Sequence, residues 1–258
     1  MTSARNIEYY SNGRLISRQT LLSDAQKVGF SVSATAPTAT TIRDGFTYGK
    51  DYVPASAGEC VVSVIGDSIS YGAWSAATWP ELLPIALSGL PGGGEVKVRQ
   101  NLAVSSTKAQ NWATPGDPVD IKQYSFAGDT YVLVLLGTND GAARPVANFT
   151  ADLSTIAAKI VADGALPVFG MFPLWTNAGL SGVVGVTPAS PSQVQRLRHA
   201  ILKFCVTNGY PVALVESAFG DSNRWLGDNI HPVEEGMAPI ARAFAQAIAR
   251  HRAPAAPQ

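Results

Sequence analysis

Three short strings in this 258-residue chain place complementary chemistry at the ends of apolar runs. Gly66-Asp67-Ser68-Ile69-Ser70 sets a serine hydroxyl just past a β-branched run. A serine hydroxyl is a weak nucleophile until a neighbouring base takes its proton. The chain has three histidines, so the search for that base is short. His199 lies opposite the Val194, Leu197 and Ile201 face of its helical pattern, and His251 precedes a Pro- and Ala-rich tail. His231 stands in Gly227-Asp228-Asn229-Ile230-His231-Pro232, between an apolar run and the final helical pattern. Asp228 is three residues earlier, close enough for a tight turn to bring its carboxylate to the imidazole Nδ1 and fix the tautomer. In the third string, Gly137-Thr138-Asn139-Asp140, Asn139 offers an amide that could stabilise an oxyanion on a reacting ester. Each string alone also reads as a plain turn, since Gly, Asp, Asn and Ser all favour one.

Elements that could bring the strings together are visible in the pattern. Cys60–Gly66, Tyr131–Gly137, Pro167–Phe172 and Pro211–Val215 are short apolar runs, and Glu95–Arg99 is a more alternating one. Runs apolar throughout belong to strands covered on both faces, as in a parallel sheet between helices. Helical spacing joins Phe149, Leu153, Ile156 and Ile160, then Val194, Leu197, Ile201 and Cys205, then Met237, Ile240, Phe244 and Ile248. Thr78-Trp79-Pro80-Glu81 resembles a capping box at a helix start. Pro239 predicts that the last helix begins near Gly236, because a proline further inside forfeits a hydrogen bond. The expected fold is a three-layer α/β/α domain around a five-stranded parallel sheet. Ligands in such sheets sit outside the carboxyl ends of the strands, where all three strings fall.

Taken together, the strings resemble the SGNH (GDSL-like) hydrolase family. Gly66-Asp67-Ser68 is similar to its first block, Gly137-x-Asn139-Asp140 to its third and Asp228-x-x-His231 to its fifth, in the family's order. The resemblance covers roughly residues 60–250. It implies a flavodoxin-like sheet, a Ser68, Asp228 and His231 triad, and Asn139 in the oxyanion hole beside the Ser68 N–H. The second block departs from the family pattern. Where the family has a glycine whose N–H enters the oxyanion hole, this chain reads Asn101-Leu102-Ala103-Val104-Ser105-Ser106-Thr107. Ser106 is the first placement for that donor and Ala103 the second. A backbone N–H survives either replacement, but a left-handed conformation costs more without glycine. The G-x-S-x-G elbow of α/β-hydrolases is missed, because Ser70 stands at its last glycine. A metal-dependent hydrolase using Asp67, Asp140, Asp228 and His231 lacks paired histidines and leaves Ser68 and Asn139 idle.

Composition sets outer bounds. Lys and Arg total 19, matching 19 Asp and Glu, so no basic excess points to nucleic acid. The apolar share of 46% can build a large core without disulfides, and Cys60 and Cys205 are expected to act as small buried hydrophobes. The first ten residues are polar, with no secretory h-region, and no apolar stretch is long enough to span a bilayer, so a soluble chain is expected. Residues 1–58 read as a partly extended N-terminal extension, including a short strand at Thr47 to Val53. Residues 59–252 form the hydrolase domain and 253–258 a tail. The expected reaction is hydrolysis of a carboxylic ester through an acyl-enzyme, with no metal or organic cofactor. Tyr71, Trp74, Trp175 and Trp225 lie in loops near the strings and could either wall a substrate site or anchor those loops. They favour O-acetyl esters on carbohydrate as substrate, ahead of short-chain lipid esters or thioesters. A catalytically silent binding module docked in a larger assembly is the alternative from a different class.

Overall fold

The computed structural model describes residues 5–11, 14–21, 60–73, 75–90, 93–141, 144–173, 191–219, 225–228 and 230–252. Near the N-terminus, β1 (Arg5–Ser11) and β2 (Arg14–Leu21) pair antiparallel, with a register shift between Tyr9 and Tyr10. The strand expected at Thr47 to Val53 lies outside the described residues.

The main sheet has five parallel strands: β3 (Cys60–Gly66), β4 (Val96–Asn101), β5 (Tyr131–Leu135), β6 (Leu166–Gly170) and β7 (Val212–Ala213). Their spatial order is β4-β3-β5-β6-β7. β3 and β5 are buried along their whole length, which is why their sequences do not alternate. The helices are α1 (Ser68–Tyr71), α2 (Trp79–Ser88), α3 (Ala109–Ala113), α4 (Val146–Ala162), α5 (Pro191–Asn208), α6 (Val215–Phe219) and α7 (Glu234–Arg252). The α4, α5 and α7 residues expected on apolar faces are all buried. Glu81 closes the capping box at α2 by accepting the Thr78 N–H at 2.7 Å.

Two expectations are corrected. The run Pro211–Val215 yields only a two-residue strand, because Val215 opens α6, a helix that sequence reading did not anticipate. The last helix starts at Glu234 rather than Gly236, and Pro239 lies inside it. That proline leaves the Glu235 carbonyl without its usual helical donor. Glu235 is exposed, so water can take the donor's place, while Met237, Ile240 and Phe244 bury the opposite face.

The sheet order sets where a site can form. From β3 the chain crosses to β4 on one side, and from β4 it returns to β5 on the other. The loops after β3 and β5 therefore part at one crevice, the switch point at which open α/β sheets hold ligands.

Candidate active site

Ser68 is the first residue of α1, immediately after β3. Asp67 caps that turn, its Oδ1 accepting the Ile69 N–H at 3.0 Å, and Gly72 ends it with φ +88°. The turn is braced from behind. The Trp79 indole donates to Ser70 Oγ at 3.1 Å, and Asn101 Nδ2 donates to the Ser70 carbonyl at 2.8 Å. Trp79 is itself stacked on Phe244, with centroids 4.4 Å apart. Gly66 is required by close approach, since a Cβ there would collide with the Ser70 side chain. Ser68 is left 5% exposed.

His231 arrives from the opposite end of the chain. Its Nε2 lies 2.8 Å from Ser68 Oγ and its Nδ1 lies 2.6 Å from Asp228 Oδ2. Asp228 also shapes the turn, because its Oδ1 accepts the N–H groups of Ile230 at 3.1 Å and His231 at 2.7 Å. The Gly227 N–H closes the turn onto the His231 carbonyl at 2.8 Å, and Leu226 bridges to Pro232. Burial pushes the Asp228 carboxyl up, but the two N–H groups and the imidazole outweigh it and hold the group below the usual carboxylate range. An Nδ1–H donated to an ionised Asp228 leaves Nε2 as an acceptor facing the serine hydroxyl.

Asn139 follows β5 at the same edge. Its Nδ2 donates one hydrogen to the Thr107 carbonyl at 2.9 Å, which leaves the second amide hydrogen for another acceptor. The two candidates in the β4 loop separate clearly. The Ala103 N–H is engaged by Asn101 Oδ1 at 3.2 Å. Ser106 has φ +65°, the one non-glycine residue with positive φ among the described residues, and its N–H has no hydrogen-bond partner among them. The backbone thus adopts at Ser106 the left-handed form that glycine would have taken freely. Such a form costs an L-residue roughly 1–2 kcal/mol. Ser106→Gly is expected to raise stability by up to about 1 kcal/mol, part of the relief being offset by the looser unfolded chain. Ser106→Val is expected to lower stability by about 1–2 kcal/mol. Urea midpoints check both, and equal losses in the two variants would rule out a left-handed residue at this position.

Next to Ser68 lie three buried polar residues, Asp67, Thr138 and Asp140, of which sequence reasoning named the two acids only for the metal-dependent alternative and Thr138 not at all. Burial pushes Asp67 up to about 7, against the Ile69 N–H, and the charge of Asp140 adds to the rise. Burial likewise pushes Asp140 up to about 6, against the Ala109 N–H that its Oδ2 accepts at 3.0 Å. Both acids stand inside the first and third strings, beside Ser68 and Asn139, and that position was the available signal.

The other candidates are placed as follows. Tyr71 is half-buried at the end of α1. Trp225 is also half-buried, packed edge-on against Phe219 with centroids 5.2 Å apart. Trp74 and Trp175 lie outside the described residues. His199 is exposed on α5, whereas the His251 ring meets the Tyr131 hydroxyl at 3.0 Å. Cys60 and Cys205 are buried free thiols. Among the described residues, no three His, Cys, Asp or Glu side chains gather as metal ligands, and no helix is long and apolar enough to cross a membrane.

Known structures share this architecture. A lipase/acylhydrolase from Enterococcus faecalis is similar with a TM-score of 0.57 and 17% identity, over 74% of this chain and 96% of that one. Axe2, an acetylxylan esterase from Geobacillus stearothermophilus, gives 0.54 and 14%, over 73% and 93%. TesA gives 0.54 and 18%, over 73% and 97%. At such identities the likeness establishes the fold. No curated protein matches the chain. The model of the GDSL-like lipase/acylhydrolase family matches residues 64–238, a span that includes Ser68, Asn139, Asp228 and His231. The chain belongs to that family of carboxylic ester hydrolases.

Proposed function

We propose that the protein hydrolyses short-acyl esters, with O-acetyl groups on carbohydrate as the first substrate class, through an acyl-enzyme on Ser68. The observation that carries this reading is the continuous pair of contacts from Asp228 through His231 to Ser68 Oγ, at 2.6 and 2.8 Å. His231 takes the Ser68 proton as Oγ attacks the ester carbonyl, and Asp228 stabilises the resulting imidazolium. The N–H groups of Ser68 and Ser106 and the free amide hydrogen of Asn139 receive the oxyanion. His231 then protonates the leaving alcohol, and water repeats the sequence to release the acid. No step calls on a metal or an organic cofactor.

The acetyl-carbohydrate assignment is supported by the acetylxylan esterase among the structures with this fold, and by two half-buried aromatic residues close in sequence to the site, Tyr71 following Ser68 and Trp225 preceding Asp228. Stacking of sugar rings is a common use of such side chains.

A fluorophosphonate probe and two substrate series test the proposal. The probe is expected to label one serine, and mass spectrometry is expected to place the label on Ser68. Acetate release from acetylated xylo-oligosaccharides is expected to exceed hydrolysis of p-nitrophenyl esters with acyl chains of eight carbons or more. Absence of labelling would favour a silent binding module. Preference for long chains would replace the carbohydrate substrate with a lipid ester or thioester.

A further inference from the structure

The loop that carries Ser106 is fastened from outside itself. Asn139 Nδ2 holds the Thr107 carbonyl at 2.9 Å, and the next side chain in sequence, Asp140, accepts the Ala109 N–H at 3.0 Å. Two neighbouring side chains after β5 thus grip alternate residues of one segment, one as donor and the other as acceptor. The segment they grip begins immediately after the left-handed Ser106. Thr107 adds a third tie, because its hydroxyl is shared between the carbonyls of Val104 at 2.8 Å and Gly66 at 3.2 Å, and it accepts the Trp112 indole N–H at 3.1 Å. Asp140 is 1% exposed, and nothing in the proposed reaction uses it. A buried carboxylate oxygen on a backbone N–H forms a charge-assisted bond, about twice as strong as a neutral one.

We infer that Asp140 is a positioning residue of the oxyanion hole, a clamp on the Ala109 N–H that keeps Ser106 left-handed and its N–H turned toward the substrate oxygen. This rests on the oxyanion reading given above and extends it to a residue that does not touch the substrate. A serine released from the clamp relaxes to negative φ, because the left-handed form is unfavourable for it. That relaxation withdraws one donor from the hole. A glycine in its place retains easy access to positive φ and depends less on the clamp.

The experiment is a cycle between positions 140 and 106, read by steady-state hydrolysis of p-nitrophenyl acetate. Asp140→Ala is expected to lower kcat about 10–100-fold with KM changed by less than about threefold, since loss of a whole donor costs about 10²–10³ and a loosened donor costs less. In the Ser106→Gly background the same Asp140→Ala change is expected to lower kcat less than about fivefold. An equal fractional loss in both backgrounds would overturn the inference, as would an Asp140→Ala variant whose loss appears in KM alone. Ala109→Pro covers the case in which Asp140→Ala does not fold. It deletes the N–H that Asp140 accepts at the first position of α3, where helices accept proline. It is expected to show the same kcat loss, and unchanged kcat there overturns the clamp. Asn139→Ala separates the two readings. A 10²–10³-fold loss with Asn139→Ala alongside no loss at position 140 defeats only the clamp, whereas no loss with Asn139→Ala defeats the oxyanion reading and the clamp together.

Discussion

Ser68→Ala is expected to lower kcat for ester hydrolysis by about 10⁶, His231→Ala by about as much, and the double variant by no more than either alone. The reason lies in the 2.8 Å contact between Nε2 and Oγ. A serine without its base keeps its proton at neutral pH, and a base without the serine has nothing to activate. Either loss abolishes the same step, so the two free energies do not add. Residual turnover then reflects binding and the oxyanion donors, which neither change removes. Folding should survive both changes, since Ser68 and His231 meet at the rim and outside the central core. Burst kinetics on a p-nitrophenyl ester, with melting temperatures alongside, check the expectation. Losses that multiplied in the double variant would mean that serine and histidine act in separate steps.

Asp228→Asn is expected to lower kcat by about 10⁴ while the protein stays folded and KM moves little. The asparagine keeps an oxygen for the N–H groups of Ile230 and His231, so the turn persists. Its amide nitrogen then faces Nδ1 and donates to it, which forces the ring proton onto Nε2. An Nε2–H pointing at Ser68 Oγ cannot accept the serine proton. Asp228→Ala loses the orienting contact and the turn bonds together and is expected to be less stable as well. Carboxylate rescue offers a further check, because added formate should restore part of the Asp228→Ala rate and little of the Asp228→Asn rate. A drop of less than tenfold in Asp228→Asn would transfer the orienting role to another group.

The middle of the sheet was legible because β3 and β5 are buried on both faces. Cys60–Gly66 carries that imprint from end to end, and its strand boundaries match the apolar run. Where burial fades, so does legibility. Pro211–Val215 looks as apolar as the other runs, yet tertiary placement turns Val215 into a helix start after two strand residues. The N-terminal hairpin carries one strong signal, Asn12-Gly13 between its strands. The irregular register at Tyr9 and Tyr10 breaks the alternation that would have supported it. Ser68, Asp228, His231 and Asn139 could be singled out because hydroxyl, carboxylate, imidazole and amide are distinct groups at recognisable spacings. The loop between β4 and α3 gave no such help. Its left-handed residue is not glycine, and the bond from Asn139 Nδ2 to the carbonyl of the following residue, Thr107, spans 32 positions, beyond any local pattern. Asp140 stood only as a member of the third string and of the metal-dependent alternative, and its burial and its bond to the Ala109 N–H become visible only in the fold.

Asp228 and His231 belong to one closed loop whose backbone is knotted by the aspartate itself. Whatever displaces that segment carries acid and imidazole as a single piece. The separation that can vary is the gap to Ser68, across 163 positions of chain. An ionised Asp228 therefore favours the proton on Nδ1 wherever the loop lies, which leaves the distance from Nε2 to Ser68 Oγ as the quantity to be set.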